Sequence, residues 1–192
     1  AADCRLAASG ARDREREVLR GFALASFKPL HSRPMSTARV VQINVAPEGG
    51  VPKRPVPAAL LTTLGVAGDR QLDLKHHGGP ERAVCLFGQE RIAALAAEGH
   101  PIAPGTTGEN LTIAGLAWDE LHAGERLAVG DVVVLEISGP APPCNTIAAS
   151  FTDGEFTRIS EKLRPGWSRL YARVLVEGLV REGALVRRLG RD

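Results

Sequence analysis

The sequence predicts a mainly β protein, a sandwich or barrel with a few short helices. Short apolar runs rich in Val, Leu and Ile recur along the chain with Gly or Pro between them, as in closely spaced strands. Only one short stretch has clear helical spacing, so the strand–helix alternation of repeated βαβ units is missing.

Taken in order, residues 38–46 (ARVVQINVA) are β-branched and partly alternating, which makes them a strand. Residues 52–69 (PKRPVPAALLTTLGVAGD) read as an extended segment ending in a glycine-rich turn. Residues 82–88 (RAVCLFG) form a compact apolar strand that begins at Arg82 and is stopped by glycine. Residues 89–99 (QERIAALAAEG) follow as a helix, with Ile92, Leu95 and Ala96 at helical spacing and Gly99 suited to a C-cap. Residues 109–115, 125–131 and 132–138 are further strands, the last two joined through Gly130 and Asp131. Pro140, Pro142 and Pro143 fix φ and remove donors, so the ladder is expected to stop before a stiff turn that carries Cys144. Residues 156–163 are a candidate short helix. Residues 171–178 and 184–190 read as a closing hairpin around LVREG.

Composition narrows the function classes. The 192 residues suffice for one domain of ordinary size, with or without an appendage. A net charge of +2 is too small for nucleic-acid binding by bulk electrostatics, although it leaves room for a local basic pocket. No window approaches the roughly 18 consecutive apolar residues of a membrane helix. Cys4, Cys85 and Cys144 are sparse and odd in number, with no CxxC, which points to a reducing cytoplasm. Residues 1–34 are charge-dense around ARDREREVLRGF, and the only methionine is Met35. The expected organisation is an N-terminal extension over 1–34, flexible or non-native, and one domain over 35–192.

Three segments can carry chemistry. The first, GDRQLDLKHHGGPERAVCLFG (68–88), holds Asp69, His76, His77, Gly78, Gly79 and Arg82. Its glycines permit positive φ and close backbone approach, and Arg82 can fork onto a phosphate or carboxylate. Adjacent His76 and His77 point to opposite sides of an extended chain, which argues against both ligating one metal. A plain surface turn capped by Asp69 and Asp73 is the structural alternative. In the second, TTGENLTIAG (106–115), a tight turn at Gly108 puts Glu109 and Asn110 at the mouth of a strand. Asn110 offers donor and acceptor to a heterocycle edge, unless the segment is an ordinary turn. The third is Cys144, projecting from a rigid loop, where nearby cations would favour thiolate. Cys85 lies in an apolar strand and reads as a small buried hydrophobe. Paired zinc-ligand spacing, a Walker loop and a dinucleotide fingerprint are all missing from the text.

These segments, in this order, resemble the MOSC domain, named for the C-terminal domain of molybdenum cofactor sulfurase. The matching text is KRPV (53–56), the 65–87 segment, GENLT (108–112) with Gly115, GERLAVGDVVVLEISGPAPPC (124–144) and RPGWSRLYARVLVEGLVREGALV (164–186). It covers roughly residues 38–190, and the small stand-alone bacterial MOSC proteins are the subgroup it resembles. The resemblance implies a β-barrel of the pyruvate kinase barrel-domain type and a molybdenum cofactor, molybdopterin, with Cys144 as metal ligand and catalytic centre. Cofactor binding would fall on Lys53, Asp69, His76, His77, Gly78, Gly79, Arg82, Glu109, Asn110 and Arg173. It further implies an oxidoreductase acting on N-hydroxylated small molecules, with electrons from a separate flavin or iron–sulfur reductase. A non-catalytic cofactor carrier or a persulfide relay is the alternative. Many relatives carry P-R-x-P-C where this chain reads Pro140-Ala141-Pro142-Pro143-Cys144. Another cation must then replace the arginine, or the anionic part of the cofactor binds more weakly.

Overall fold

The computed structural model describes residues 38–72 and 78–190. The expected extension over 1–34 lies outside the described residues. The β-branched run at the start of the domain forms β1 (Arg39–Val45). The extended segment after it divides at Pro57 and at the Thr63–Leu64 turn into β2 (Arg54–Val56), β3 (Ala58–Thr62) and β4 (Gly65–Val66). The chain continues through β5 (Val84–Gly88), α1 (Gln89–Ala97), β6 (Leu111–Ala114), β7 (Arg126–Val129) and β8 (Val133–Ala141). It ends in β9 (Arg169–Val176), β10 (Gly178–Arg181) and β11 (Val186–Gly190).

An eight-stranded sheet runs in the order β11-β7-β8-β9-β5-β6-β1-β2, beside a three-stranded sheet β10-β3-β4. The large sheet closes on itself. Val40 N–H donates to the Ala184 carbonyl at 2.9 Å, Gly183 N–H to the Val40 carbonyl at 2.8 Å and Val186 N–H to the Ala38 carbonyl at 2.7 Å. With the Arg39–Leu185 bridge, these bonds tie the start of β1 to the entry of β11. Closure of this kind satisfies backbone groups that an open sheet would leave at its edges. The expected mainly β barrel is therefore present.

Alternation drives the packing. Val133, Leu135 and Ile137 of β8 turn inward while Val134 and Glu136 are only half buried. They join Ile43, Leu86, Leu111, Ile113 and Leu127 in one core, and each such side chain contributes about 1.5–3 kcal/mol by leaving water. α1 buries Ile92 and Leu95 against it, leaves Ala96 exposed, and ends before Gly99 at φ +94°.

One feature adds to the expected pattern without contradicting it, and three local expectations are corrected. β5 and β6 pair in parallel across α1, so the barrel does contain one βαβ unit. β8 runs on through Pro140 to Ala141, paired with β9. Its pairing with β7 has ended at Glu136, and a strand paired on one side tolerates a proline. The expected closing hairpin does not form: β11 pairs with β7, and β10 between them pairs with β3. Residues 156–163 contain only a 3₁₀ turn, Phe156–Ile159.

Candidate functional site

Where β5 and β9 begin and β8 ends, near the loop before β6, an open cavity of about 250 Å³ is lined by Lys53, Arg82, Asn110, Cys144, Arg169 and Tyr171, together with the buried Cys85. Local sequence explains how each side chain gets there.

Cys144 follows Ala141, the last residue of β8, after two prolines, and precedes a 3₁₀ segment, Asn145–Ser150. Ile147 of that segment is buried in the core and its N–H donates to the Cys144 carbonyl at 3.2 Å. Ser150 Oγ donates to the Thr106 carbonyl at 2.9 Å. The thiol is free and half-buried, on a backbone held from both sides.

Asp69 organises the opposite wall. Its carboxylate accepts from Ala46 N–H at 2.8 Å, Lys53 Nζ at 2.6 Å, Gln71 Nε2 at 2.9 Å and Asn110 Nδ2 at 2.9 Å. Lys53 is thereby neutralised inside the protein, the two side chains being 6% and 3% exposed. Asn110 Oδ1 accepts from Cys85 N–H at 3.1 Å, and Nδ2 also donates to the Asn44 carbonyl at 3.2 Å. The amide expected to read a heterocycle edge instead clamps β1, β5 and Asp69 together where the β5–β6 ladder begins.

Glu109 is fully buried and folds the loop before β6. It accepts from Gly105 N–H at 2.5 Å, Thr107 Oγ1 at 2.7 Å and Thr112 Oγ1 at 3.2 Å. Gly108 closes that turn at φ +83°, where a Cβ would lie 2.9 Å from Val51 Cγ1. Glu109 thus shapes the loop and does not line the cavity.

The loop presents the Thr107 carbonyl to Arg169, whose Nη1 donates to it, while Nη2 donates to the Pro142 carbonyl at 3.4 Å. Arg169 is only 5% exposed, its Nε has no partner, and no carboxylate pairs with it among the described residues. Among the described residues it is the buried cation of the cavity that lacks a counter-charge.

Arg82 ends the 3₁₀ turn Pro80–Arg82 rather than beginning β5, which corrects the expected strand start. Its guanidinium lies 5.9 Å from the Tyr171 ring centroid. Burial pushes the Tyr171 phenol up to about 12, the neighbouring Cys85 adding to the rise while Arg169 and Arg82 oppose it. Burial likewise raises the Cys85 thiol. Gly78 lines the cavity, and Gly79 precedes the turn at φ +77°. Arg173 lies outside the lining: it pairs with Glu81 at 2.5 Å and Glu136 at 2.5 Å, one strand repeat beyond Tyr171. His76 and His77 lie outside the described residues. Among the described residues, no group of three or more His, Cys, Asp or Glu is arranged to hold a metal.

Cys144, Lys53, Arg82, Asn110 and Gly78 therefore meet at one cavity, with Asp69 behind them. Sequence reasoning missed Arg169, because the strand was read from Tyr171. Positions 169, 171 and 173 alternate onto one face, and that parity was the available signal.

The fold and the site together define a closed β-barrel protein with a free thiol and a guanidinium without a carboxylate partner among the described residues on one cavity. The chain belongs to the MOSC domain family, whose model matches residues 73–187; as a family, MOSC domains are associated with the molybdenum cofactor. It is 35% identical over 146 residues to the uncharacterized protein YflK of Bacillus subtilis, covering 75% of this chain and 65% of that one. It is 31% identical over 114 residues to protein YiiM of Escherichia coli, covering 56% and 50%. A Gibberella moniliformis protein named a reductase is 31% identical over 135 residues, covering 68% of this chain and 23% of that one. This chain thus spans no more than 65% of these relatives' lengths. The crystal structure of YiiM from Geobacillus stearothermophilus superposes with a TM-score of 0.61 at 25% identity, over 80% of this chain and 76% of that one. That of E. coli YiiM shares the fold, with a TM-score of 0.61 at 24% identity over 81% and 71%. No helix among the described residues is long and apolar enough to cross a membrane.

Proposed function

We propose that this chain holds a molybdenum–pterin cofactor in the cavity and reduces N-hydroxylated small molecules such as amidoximes, hydroxylamines or hydroxylaminopurines. One observation carries the reading: the Cys144 thiol and the uncompensated Arg169 guanidinium open onto the same cavity. A soft thiolate suits a metal already bound by sulfur, and a buried cation without a counter-charge suits an anionic appendage. The residues present therefore fit the group.

When bound, the cofactor supplies a two-electron redox couple. Cys144 would be its protein ligand to the metal, kept in place by the backbone on either side. Arg82 and Arg169 add positive charge to the walls, while Lys53 and Asp69 hold each other and leave the cavity no net charge from that pair. Asn110 and Glu109 keep the loops in register, and Gly78 admits close backbone approach. His76 and His77 belong to the same proposed site. Tyr171 keeps its proton throughout the neutral range and stays an uncharged wall. Overall, the N–O bond breaks, two electrons and two protons are taken up, and the amine or amidine leaves with one water. The electrons come from a separate flavin or iron–sulfur reductase in the cytoplasm. Support for the redox class comes from the relative named a reductase.

A second reading, a non-catalytic cofactor carrier or persulfide relay, draws on the half-buried free thiol of Cys144. Protein from a cofactor-producing host is expected to contain molybdenum, and Cys144→Ser to lose most of it by elemental analysis. Equal metal in both would refute the ligand assignment. Loaded protein given an artificial electron donor is expected to reduce benzamidoxime or hydroxylaminopurine. Persistent failure to turn over would favour the carrier.

A further inference from the structure

We infer that Arg169 forms a dedicated oxyanion subsite in this cavity and takes the phosphate group of the bound cofactor, a deepening that rests on the reading above. The argument begins with charge. Lys53 has a carboxylate at 2.6 Å, Arg173 has two, and Arg188 pairs with Glu120 and Glu125 at 2.8 Å each. Among the described residues the Arg169 guanidinium, although the residue is 5% exposed, meets only the carbonyls of Thr107 and Pro142, and its Nε meets nothing. Desolvating a guanidinium is unfavourable unless a counter-charge or a full set of acceptors replaces water. The missing partner has to be an anion that enters from the cavity, and a planar fork of donors matches a phosphate better than a monatomic ion.

The carbonyls aim the fork. Thr107 is fixed by Glu109 through its hydroxyl at 2.7 Å, and Pro142 lies two residues before Cys144. The loop before β6 and the turn after β8 therefore orient one guanidinium between them. This assigns a purpose to the buried carboxylate of Glu109: it is a positioning residue, acting on Arg169 through Thr107.

The test uses protein prepared without cofactor and inorganic phosphate as the probe. Side-chain NMR of labelled arginine is expected to show the Arg169 Nε–H resonance moving saturably as phosphate is added. An unmoved resonance overturns the subsite, and this arm needs no variant. Arg169→Gln keeps a donor for the Thr107 carbonyl but removes the charge. It is expected to weaken phosphate binding at least about ten-fold, and unchanged affinity overturns the subsite. In a cofactor-producing host, Arg169→Gln should lose pterin together with phosphate affinity. Full pterin content with lost phosphate affinity would transfer the subsite to free phosphate or a phosphorylated substrate and overturn the cofactor assignment. Arg169-dependent phosphate binding in protein that never acquires pterin would instead refute the molybdenum reading alone.

Discussion

Arg169 stands directly opposite Ala141 in the β8–β9 ladder. Opposed residues in an antiparallel pair share a face, with Cβ atoms roughly 5 Å apart. The cation that the PAPPC turn lacks at position 141 is thus matched by one on the neighbouring strand. If the two positions serve one anion, the charge can be moved between them. Arg169→Ala is expected to lose phosphate affinity, and adding Ala141→Arg in the same chain to recover part of it, since the vacated space lies beside the new side chain. Isothermal titration of cofactor-free protein measures both. No recovery in a folded double variant would show that the two positions are not equivalent.

The two thiols of the cavity should differ in reactivity. Burial raises the Cys85 thiol above the ordinary cysteine range, with the charges of Arg169 and Lys53 opposing it only in part. Cys144 is half-buried among the residues that line the cavity. Since thiolate is the nucleophile, iodoacetamide at neutral pH should alkylate Cys144 at least about ten-fold faster than Cys85. Peptide mass spectrometry reads the two sites separately, and comparable rates would contradict the assigned burial. Cofactor loading should protect Cys144.

Tyr171 is the only tyrosine in the chain, so phenolate absorbance reports it alone. In folded protein it should ionise near 12 instead of about 10. The folded state then binds the proton more tightly than the unfolded chain. Between those values unfolding releases a proton, so stability falls as pH rises above about 10. Urea midpoints across this range should decline, and Tyr171→Phe should flatten the decline. Ionisation of native protein at the ordinary tyrosine value would contradict the burial.

Asn110→Ala should act on the fold before it acts on any ligand. It removes the acceptor for Cys85 N–H and a donor to Asp69, leaving buried groups unsatisfied. Urea denaturation is expected to show a loss of roughly 2–4 kcal/mol. Asn110→Asp should also destabilise, because it sets a second carboxylate against Asp69. A change within about 0.5 kcal/mol for both would mean that the clamp does not hold β1 and β5 together.

The strands at 39–45, 84–88 and 133–138 were legible because one buried face forces the spacing of apolar residues. Cys144 was legible because proline restricts the backbone locally. Pairing was harder. LVREG looks like a hairpin turn, yet β10 inside it pairs with β3, more than a hundred residues earlier in the chain. Local turn chemistry carries no information about such a partner. GENLT stood out as polar residues at a strand mouth, but the roles of Glu109 and Asn110 as clamps depend on Gly105, Thr107, Cys85 and Asp69 being brought to them.

By itself the sequence determined a strand-rich fold, a resemblance to the MOSC domain over roughly residues 38–190, and a cysteine held stiffly after a strand. Periodicity, turn residues and proline sterics act over a few neighbours, so they can be read along the chain. Tertiary structure alone decided which cation keeps a free charge. Lys53 and Arg173 look as available as Arg169 in the text, but Asp69, Glu81 and Glu136 neutralise the first two. Arg169 is left facing Ala141 with carbonyls for company. Charge pairing depends on distances across the barrel, and strand register sets those distances.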